Sequence, residues 1–250
     1  MSTIKYNNKS IKVYSDNDYV GSSLDKRCSS YKKDEPQTLD WIESFDNNSV
    51  FYDIGSNIGG FSFIASMIHK NIKIFSFEPN TLNYYSQYKT CVKNKIKNIF
   101  PFNLAINNID EFNYFHYEWQ AGELGSKGSF GTELKNQMKK SDYSNPFKRK
   151  ISFSGATIGV SLDSLVYNFG LDIPDYIKID VDGNDLLVLE GAKKILHEES
   201  IKEIFIEIDD KIYENNEIEN FMKKYPYKIK KNINVGTKQK PMRMVLYVRD

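Results

Sequence analysis

Between Val50 and Leu196, short runs of β-branched and aromatic residues alternate with segments whose apolar positions recur every three or four residues. That rhythm predicts βαβ units and a parallel sheet with helices on its faces. Strand-like runs lie at residues 50–54 (VFYDI), 72–77 (IKIFSF), 99–106, 176–181 (YIKIDV) and 202–208 (KEIFIEI). Residues 59–69 place Phe61, Ile64, Ala65 and Ile68 on one helical face. Pro79 ends the second strand, and Asn80 then caps a helix whose inward positions are expected to be Leu82, Tyr85, Tyr88 and Val92. Helices over 186–196, capped by Asn184 or Asp185, and over 217–224 complete the set. Two β-rich runs, 227–233 and 242–248, have no helix between them and should pair antiparallel at the sheet edge.

Two stretches fall outside this rhythm. Residues 1–48 read as an extension: a hairpin over 4–13, a polar stretch, then a helix over 37–45. Residues 49–250 would form one α/β domain. Within it, residues from about 117 to 160 are rich in Gly, Ser and Lys and poor in periodic apolar positions. A loop that long inside a domain usually carries function. Its Trp119, Phe130 and Tyr143 suit sugar rings, and Lys139, Lys140, Lys148 and Arg149 suit a diphosphate. A solvated loop is the plain alternative.

The 34 Lys and Arg nearly cancel the 33 Asp and Glu, so no global basic field would gather nucleic acid or anionic lipid. Cys28 and Cys91 suggest neither a disulfide framework nor a zinc motif. The leading MSTIKYNNKS lacks the apolar stretch of a signal peptide, and no run approaches a membrane span. A cytoplasmic protein is therefore expected, and a homo-oligomer is compatible with all of this.

Chemistry concentrates at strand ends. Asp53-Ile-Gly55-Ser-Asn57-Ile-Gly59-Gly60 joins a strand to a helix, and glycines there let a backbone turn tightly beside a ligand. The turn alone would serve NAD, FAD, phosphate or S-adenosylmethionine (SAM), or no ligand. Asp53, however, puts a carboxylate where a pyrophosphate would be repelled and the ammonium of a methionine moiety attracted. Glu78 ends the next strand and is placed to accept hydrogen bonds from ribose hydroxyls, unless it is a solvated helix-start carboxylate. Asn103 and Ala105, in NLAI, would sit beside an adenine, although a core strand end explains them equally well.

The opposite end is acidic. Asp180, Asp182, Asn184 and Asp185 cluster after one strand, and Glu207 and Asp209 end the following one. Such a set can take protons, bind sugar hydroxyls or hold a divalent cation, here through Asp180, Asp182 and Glu207. Alternatively Asn184 and Asp185 merely cap the next helix, and Lys178 offsets the charge or lies on the surface. His116 is placed to act as a base, though a lone histidine is often structural.

The stretches FYDIGSNIGGFS (51–62), FEPN (77–80), NLAI (103–106), SLDSL (161–165) and IKIDVDGNDLLVLEGA (177–192) resemble the FkbM-type family of SAM-dependent methyltransferases, over residues of about 31 to 248. The resemblance implies a doubly wound, Rossmann-like seven-stranded sheet with its last strand antiparallel. It further implies methyl transfer to an oxygen, commonly a hydroxyl of a sugar or glycan-like product. By the same likeness Asp53, Gly55, Asn57, Gly59, Glu78 and Ala105 would line the SAM site, with Asp180 and Asp182 facing the methyl group and acceptor; Asn80, Asn103 and Asp180 are also expected at the cofactor. Asp182 stands where the family motif usually has Glu. The expected activity is thus O-methylation of a nucleotide-linked sugar or polysaccharide precursor, with Asp180 or Asp182 helped by Glu207 or His116. A non-catalytic cofactor-binding subunit, a nicotinamide dehydrogenase, and methylation of lipid, RNA or protein are the rivals.

Overall fold

A computed structural model of the chain describes residues 2–15, 21–117, 128–131, 153–213, 216–237 and 241–250. Among these, seven strands make the main sheet. From one edge to the other they are β12 (Tyr227–Asn234), β13 (Met242–Arg249), β11 (Glu203–Asp209), β10 (Tyr176–Ile179), β3 (Val50–Ile54), β4 (Lys73–Phe77) and β5 (Ile99–Phe102). β11, β10, β3, β4 and β5 pair in parallel, while β13 runs antiparallel to both β11 and β12. The last strand therefore slots between its hairpin partner and the parallel block, not at the extreme edge.

Strand alternation divides the core into two layers. Phe51, Tyr176 and Phe205 point to the face covered by β1 (Ser2–Tyr6), β2 (Lys9–Val13), α1 (Gly21–Asp34), α2 (Pro36–Glu43), α3 (Gly60–Ile68) and α4 (Thr81–Asn94). Tyr52, Ile54, Ile177, Ile204 and Ile206 point to the face covered by α5 (Leu162–Tyr167), α6 (Asp185–Glu190) and α7 (Glu217–Met222).

Four expectations are revised. The predicted third strand is two: β5 joins the main sheet, whereas β6 (Ala105–Ile106) pairs with β9 (Phe153–Val160) in a second sheet. That sheet also holds β7 (Glu111–Tyr117) and β8 (Gly128–Phe130), so the described parts of the supposed 117–160 loop are strands apart from a bend at Gly131. The polar stretch before α2 contains α1, whose Leu24, Cys28 and Tyr31 form a buried stripe at helical spacing. Finally, α4 presents a polar face inward: Asn83, Ser86, Gln87, Thr90 and Cys91 are buried, while Tyr85, Tyr88 and Val92 are exposed. That polar face is stable because its groups are bonded, Thr90 Oγ1 accepting from Tyr14 N–H and Ser86 Oγ donating to the Tyr14 carbonyl.

Candidate functional site

A crevice opens at the carboxyl ends of β3, β4 and β10. Such a position beyond the strand ends is where open α/β sheets bind ligands. Gly55, Asn57, Glu78, Ala105, Asp180 and Asp182 all line it. Asp53, Gly59, Asn80 and Asn103 do not form its wall and act behind it.

The turn after β3 is held from several sides. Gly55 has φ +79°, and a Cβ there would collide with the Asp180 carbonyl oxygen, so glycine lets the turns after β3 and β10 touch. Gly60 is needed for a different contact: a Cβ would strike the ring of Tyr31 on α1. From α4, Gln87 donates to Ser56 Oγ at 2.8 Å and to the Asn57 carbonyl, while accepting from Ser76 Oγ. Asn80 Oδ1 caps α4 by accepting from Leu82 and Asn83 N–H, and Asn103 Nδ2 donates to the carbonyls of Glu78 and Pro79. These residues brace the wall instead of forming it.

Glu78 is 6% exposed and already engaged. Its Oε2 accepts from Asn57 N–H at 2.8 Å, and its Oε1 from Asn80 N–H at 2.9 Å and, weakly, from Asn83 Nδ2 at 3.4 Å. Burial pushes its pKa up to about 7 despite those bonds. A ligand hydroxyl pair must share the remaining acceptor capacity with the long Asn83 contact.

Asp53 is 1% exposed; its Oδ2 accepts from Ser62 Oγ at 2.6 Å, and its Oδ1 has no hydrogen-bond partner. Burial raises its pKa, opposed by Lys178 and Ser62. Asp53 thus lies behind the crevice wall, on the side of β3 under the N-terminal helices, with Lys178 as its nearby cation.

The turn after β10 is shaped by Asp185, which is 2% exposed. It accepts from the N–H groups of Val181 and Gly183 and from the Tyr213 hydroxyl. Burial lifts its pKa to about 7. These bonds hold Asp182 at φ +53°, a left-handed conformation that aspartate tolerates, on the crevice wall. Asn184 occupies the N-cap position of α6 without making a side-chain cap; its Nδ2 instead donates to the Phe130 carbonyl of β8 at 3.2 Å. The second sheet is thereby tied over the crevice, to which Phe115 and Phe130 contribute aromatic walls.

Beside Asp180 lies the acidic cluster, with a membership different from the expected one. Oxygens of Glu35, Asp180 and Glu207 lie within 4.8 Å of one another; Asp182 is not in this set. Lys178 is 2% exposed, not a surface residue, and its Nζ bonds Asp180 Oδ2 at 2.8 Å. Burial alone would lower its pKa, but Asp180, Glu35 and Asp53 more than reverse that and keep it charged. A metal ion at the three carboxylates would share them with this ammonium.

His116 is not brought to the crevice. It lies on the face of β7 opposite Phe115 and bonds Ser154 Oγ through Nδ1 at 2.8 Å. Trp119, Tyr143, Lys139, Lys140, Lys148 and Arg149 lie outside the described residues. Glu35, Gln87 and Phe115 escaped the sequence reading. Gln87 sits on a face whose polarity looked like solvent, and Glu35 meets Asp180 only through long-range packing.

Residues 53–229 match the family described as the methyltransferase FkbM domain. No curated protein matches the chain. Among solved structures, similarity is found to M. jannaschii TYW2 in complex with AdoMet, at 13% identity and TM-score 0.49, covering 99% of this chain and 86% of that one. The precorrin-6y C5,15-methyltransferase of Geobacter metallireducens GS-15 matches at 14% identity and TM-score 0.48, covering 86% and 87%. An rRNA methylase of Streptococcus thermophilus matches at 10% identity and TM-score 0.49, covering 85% and 94%.

Proposed function

The chain belongs to the FkbM methyltransferase family, and on that premise we propose that it methylates a hydroxyl oxygen of a sugar, in a nucleotide-activated sugar or a glycan precursor. The observation that carries this reading is the acidic rim: Asp180 and Asp182 line the crevice, with Glu35 and Glu207 against Asp180. Carboxylates of this kind accept hydrogen bonds from a polyol and can take its proton.

SAM, when bound, supplies an activated methyl group on a cationic sulfur. The residues present fit it: on the crevice wall Glu78 stands ready for ribose hydroxyls and the Asp180 carboxylate for a cationic group, with the buried Asp53 adding negative charge from behind the wall. Pro79, Leu104, Ala105, Phe115 and Phe130 offer an apolar slot for a base. The chain then has to orient the acceptor in line with the methyl group and exclude water. Asp182, fixed on the wall by the Asp185-held turn, is the group we assign to accept the hydroxyl proton, with Asp180 steering the acceptor. Lys178 supplies a fixed cation at these carboxylates, and a divalent ion is an addition the mechanism does not need.

The test is transfer of a labelled methyl from SAM to a panel of nucleotide sugars and oligosaccharides, run beside RNA and protein. Label on a sugar oxygen, reduced at least about 100-fold in Asp182→Asn, supports the reading. Label only on RNA or protein, or turnover in Asp182→Asn within a few-fold of the parent, overturns it.

A further inference from the structure

The residue that completes the acidic end comes from outside the matched region. Glu35 joins α1 to α2, ahead of residues 53–229. It stands at the N-cap position of α2, before Pro36, yet its side chain makes no cap bond there. Its carboxylate reaches instead to Asp180 and Glu207, while Thr38 Oγ1 donates to its Oε2 at 3.3 Å.

Strand geometry explains the meeting. On β3, β10 and β11, Asp53, Lys178 and Glu207 share the parity of Phe51, Tyr176 and Phe205, which pack under the N-terminal helices. Any charge on those positions therefore faces α1, α2 and their junction. The junction itself is fixed: Tyr31 of α1 packs so tightly on Gly60 that no side chain fits there. Arg27, one turn before Tyr31, lies in the field of Tyr31, Asp180 and Glu35.

A buried lysine ammonium can be shared among several carboxylates, and what it gives to one it withholds from another. Lys178 sits 5.0 Å over the Phe61 ring and bonds Asp180. Glu35 and Asp53 both draw on the Lys178 ammonium, and each carboxylate that does so leaves Asp180 less neutralised toward the crevice. Of the two, Glu35 is the one that also reaches Asp180 itself, within 4.8 Å.

We propose that Glu35 is a positioning residue of the transfer site, holding Lys178 so that Asp180 presents net negative charge to the sulfur-bearing end of the cofactor. The N-terminal segment is thus a working part of the active site. This rests on the proposed function, with Asp180, which lines the crevice, facing the cofactor's sulfonium.

The experiment needs no acceptor. SAM and its demethylated product S-adenosylhomocysteine differ by a methyl group and the positive charge on sulfur, so the ratio of their affinities reports the field at the reacting centre. Calorimetric titration of both ligands is run on the full chain, on Glu35→Gln, on Glu35→Asp and on Asp180→Asn. The ratio favouring SAM falls several-fold in Glu35→Gln and by an intermediate amount in Glu35→Asp. An unchanged ratio in Glu35→Gln, whether or not both affinities drop together, overturns the proposal, because a purely structural role weakens the two ligands alike. Should Glu35→Gln not fold, Glu35→Asp decides alone: a lowered ratio supports, the parental ratio overturns. Asp180→Asn separates the two levels. If its ratio is also unchanged, the placement of the cofactor is wrong; if it falls while that of the Glu35 variants does not, only the role of Glu35 is lost.

Discussion

The buried carboxyls at this site are perturbed by burial more than by partners, and Glu78 shows how that becomes function. Its pKa, lifted to about 7 by burial, lies above the ordinary glutamate value, so the folded, ligand-free protein favours the protonated form. The sign follows: this group contributes stability below the unfolded pKa of about 4.3 and loses it as pH rises through about 7. Ribose hydroxyls that donate to the carboxylate favour its ionised form, so binding must release protons below that point. Affinity for S-adenosylhomocysteine should therefore rise by up to about tenfold per unit between roughly pH 5.5 and 7 and level off above. Glu78→Gln should be weak and flat across the range. Calorimetry in buffers of different ionisation heat measures the proton release directly; a flat parental profile would remove Glu78 as an ionised acceptor. The letters DIGSNIGG and FEP announced a cofactor end in the sequence, but not the division of labour within it. Gly55 admits the Asp180 carbonyl and Gly60 admits Tyr31, contacts that pair residues far apart in the chain. Asp185 read as a helix cap because its bonding of the Val181 and Gly183 amides depends on a left-handed turn that periodicity does not encode.

At the scale of elements, the sheet strands were legible because VFYDI, IKIFSF and KEIFIEI are apolar runs buried on both faces, a pattern that survives any tertiary detail. α4 was legible as a helix and misjudged as to its face. Aromatic residues suggested an inward Tyr85, Tyr88 and Val92, yet the buried side carries Gln87, which bonds Ser56, Asn57 and Ser76 at the cofactor turn. A polar face goes inward only where each group finds a partner, and partners are invisible in a single sequence. The second sheet was missed for a related reason: Gly128, Gly155 and Gly159 give its strands poor propensity, and their pairing with β7 overrides it. Two substitutions separate the faces of α4. Gln87→Leu leaves buried groups unsatisfied and should cost about 1–3 kcal/mol per group in denaturant unfolding, while weakening S-adenosylhomocysteine. Val92→Lys, on the exposed side, should change stability by less than about 0.5 kcal/mol. A large loss at Val92 with none at Gln87 would restore the apolar reading.

For the molecule as a whole, the question is whether residues 2–45 are an appendage or part of the domain. The sequence drew a boundary at residue 48, where Asp46-Asn47-Asn48-Ser49 forms a polar turn. Packing crosses it freely. Trp41 of α2 is 2% exposed and meets Phe51, Tyr176 and Phe205 at ring distances of 6.0, 6.3 and 5.0 Å, while its Nε1 donates to Glu203 Oε2 at 2.7 Å. Phe45 stacks on Tyr176 at 4.0 Å, and Tyr14 is tied to α4 by Thr90 and Ser86. These contacts cover the face of the sheet that also carries Asp53, Lys178 and Glu207, so losing them would expose charge and apolar surface together. Trp41→Ala should then cost about 3–5 kcal/mol, the range for truncating a large buried aromatic, and shift the whole unfolding curve. Fluorescence and far-UV dichroism should report one coincident transition in the parent and in the variant. A chain beginning at residue 49 should neither fold cooperatively nor bind S-adenosylhomocysteine. If that fragment melts cooperatively and binds with parental affinity, the first 48 residues are a separable extension after all, and the field that Glu35 sets at the crevice must come from elsewhere.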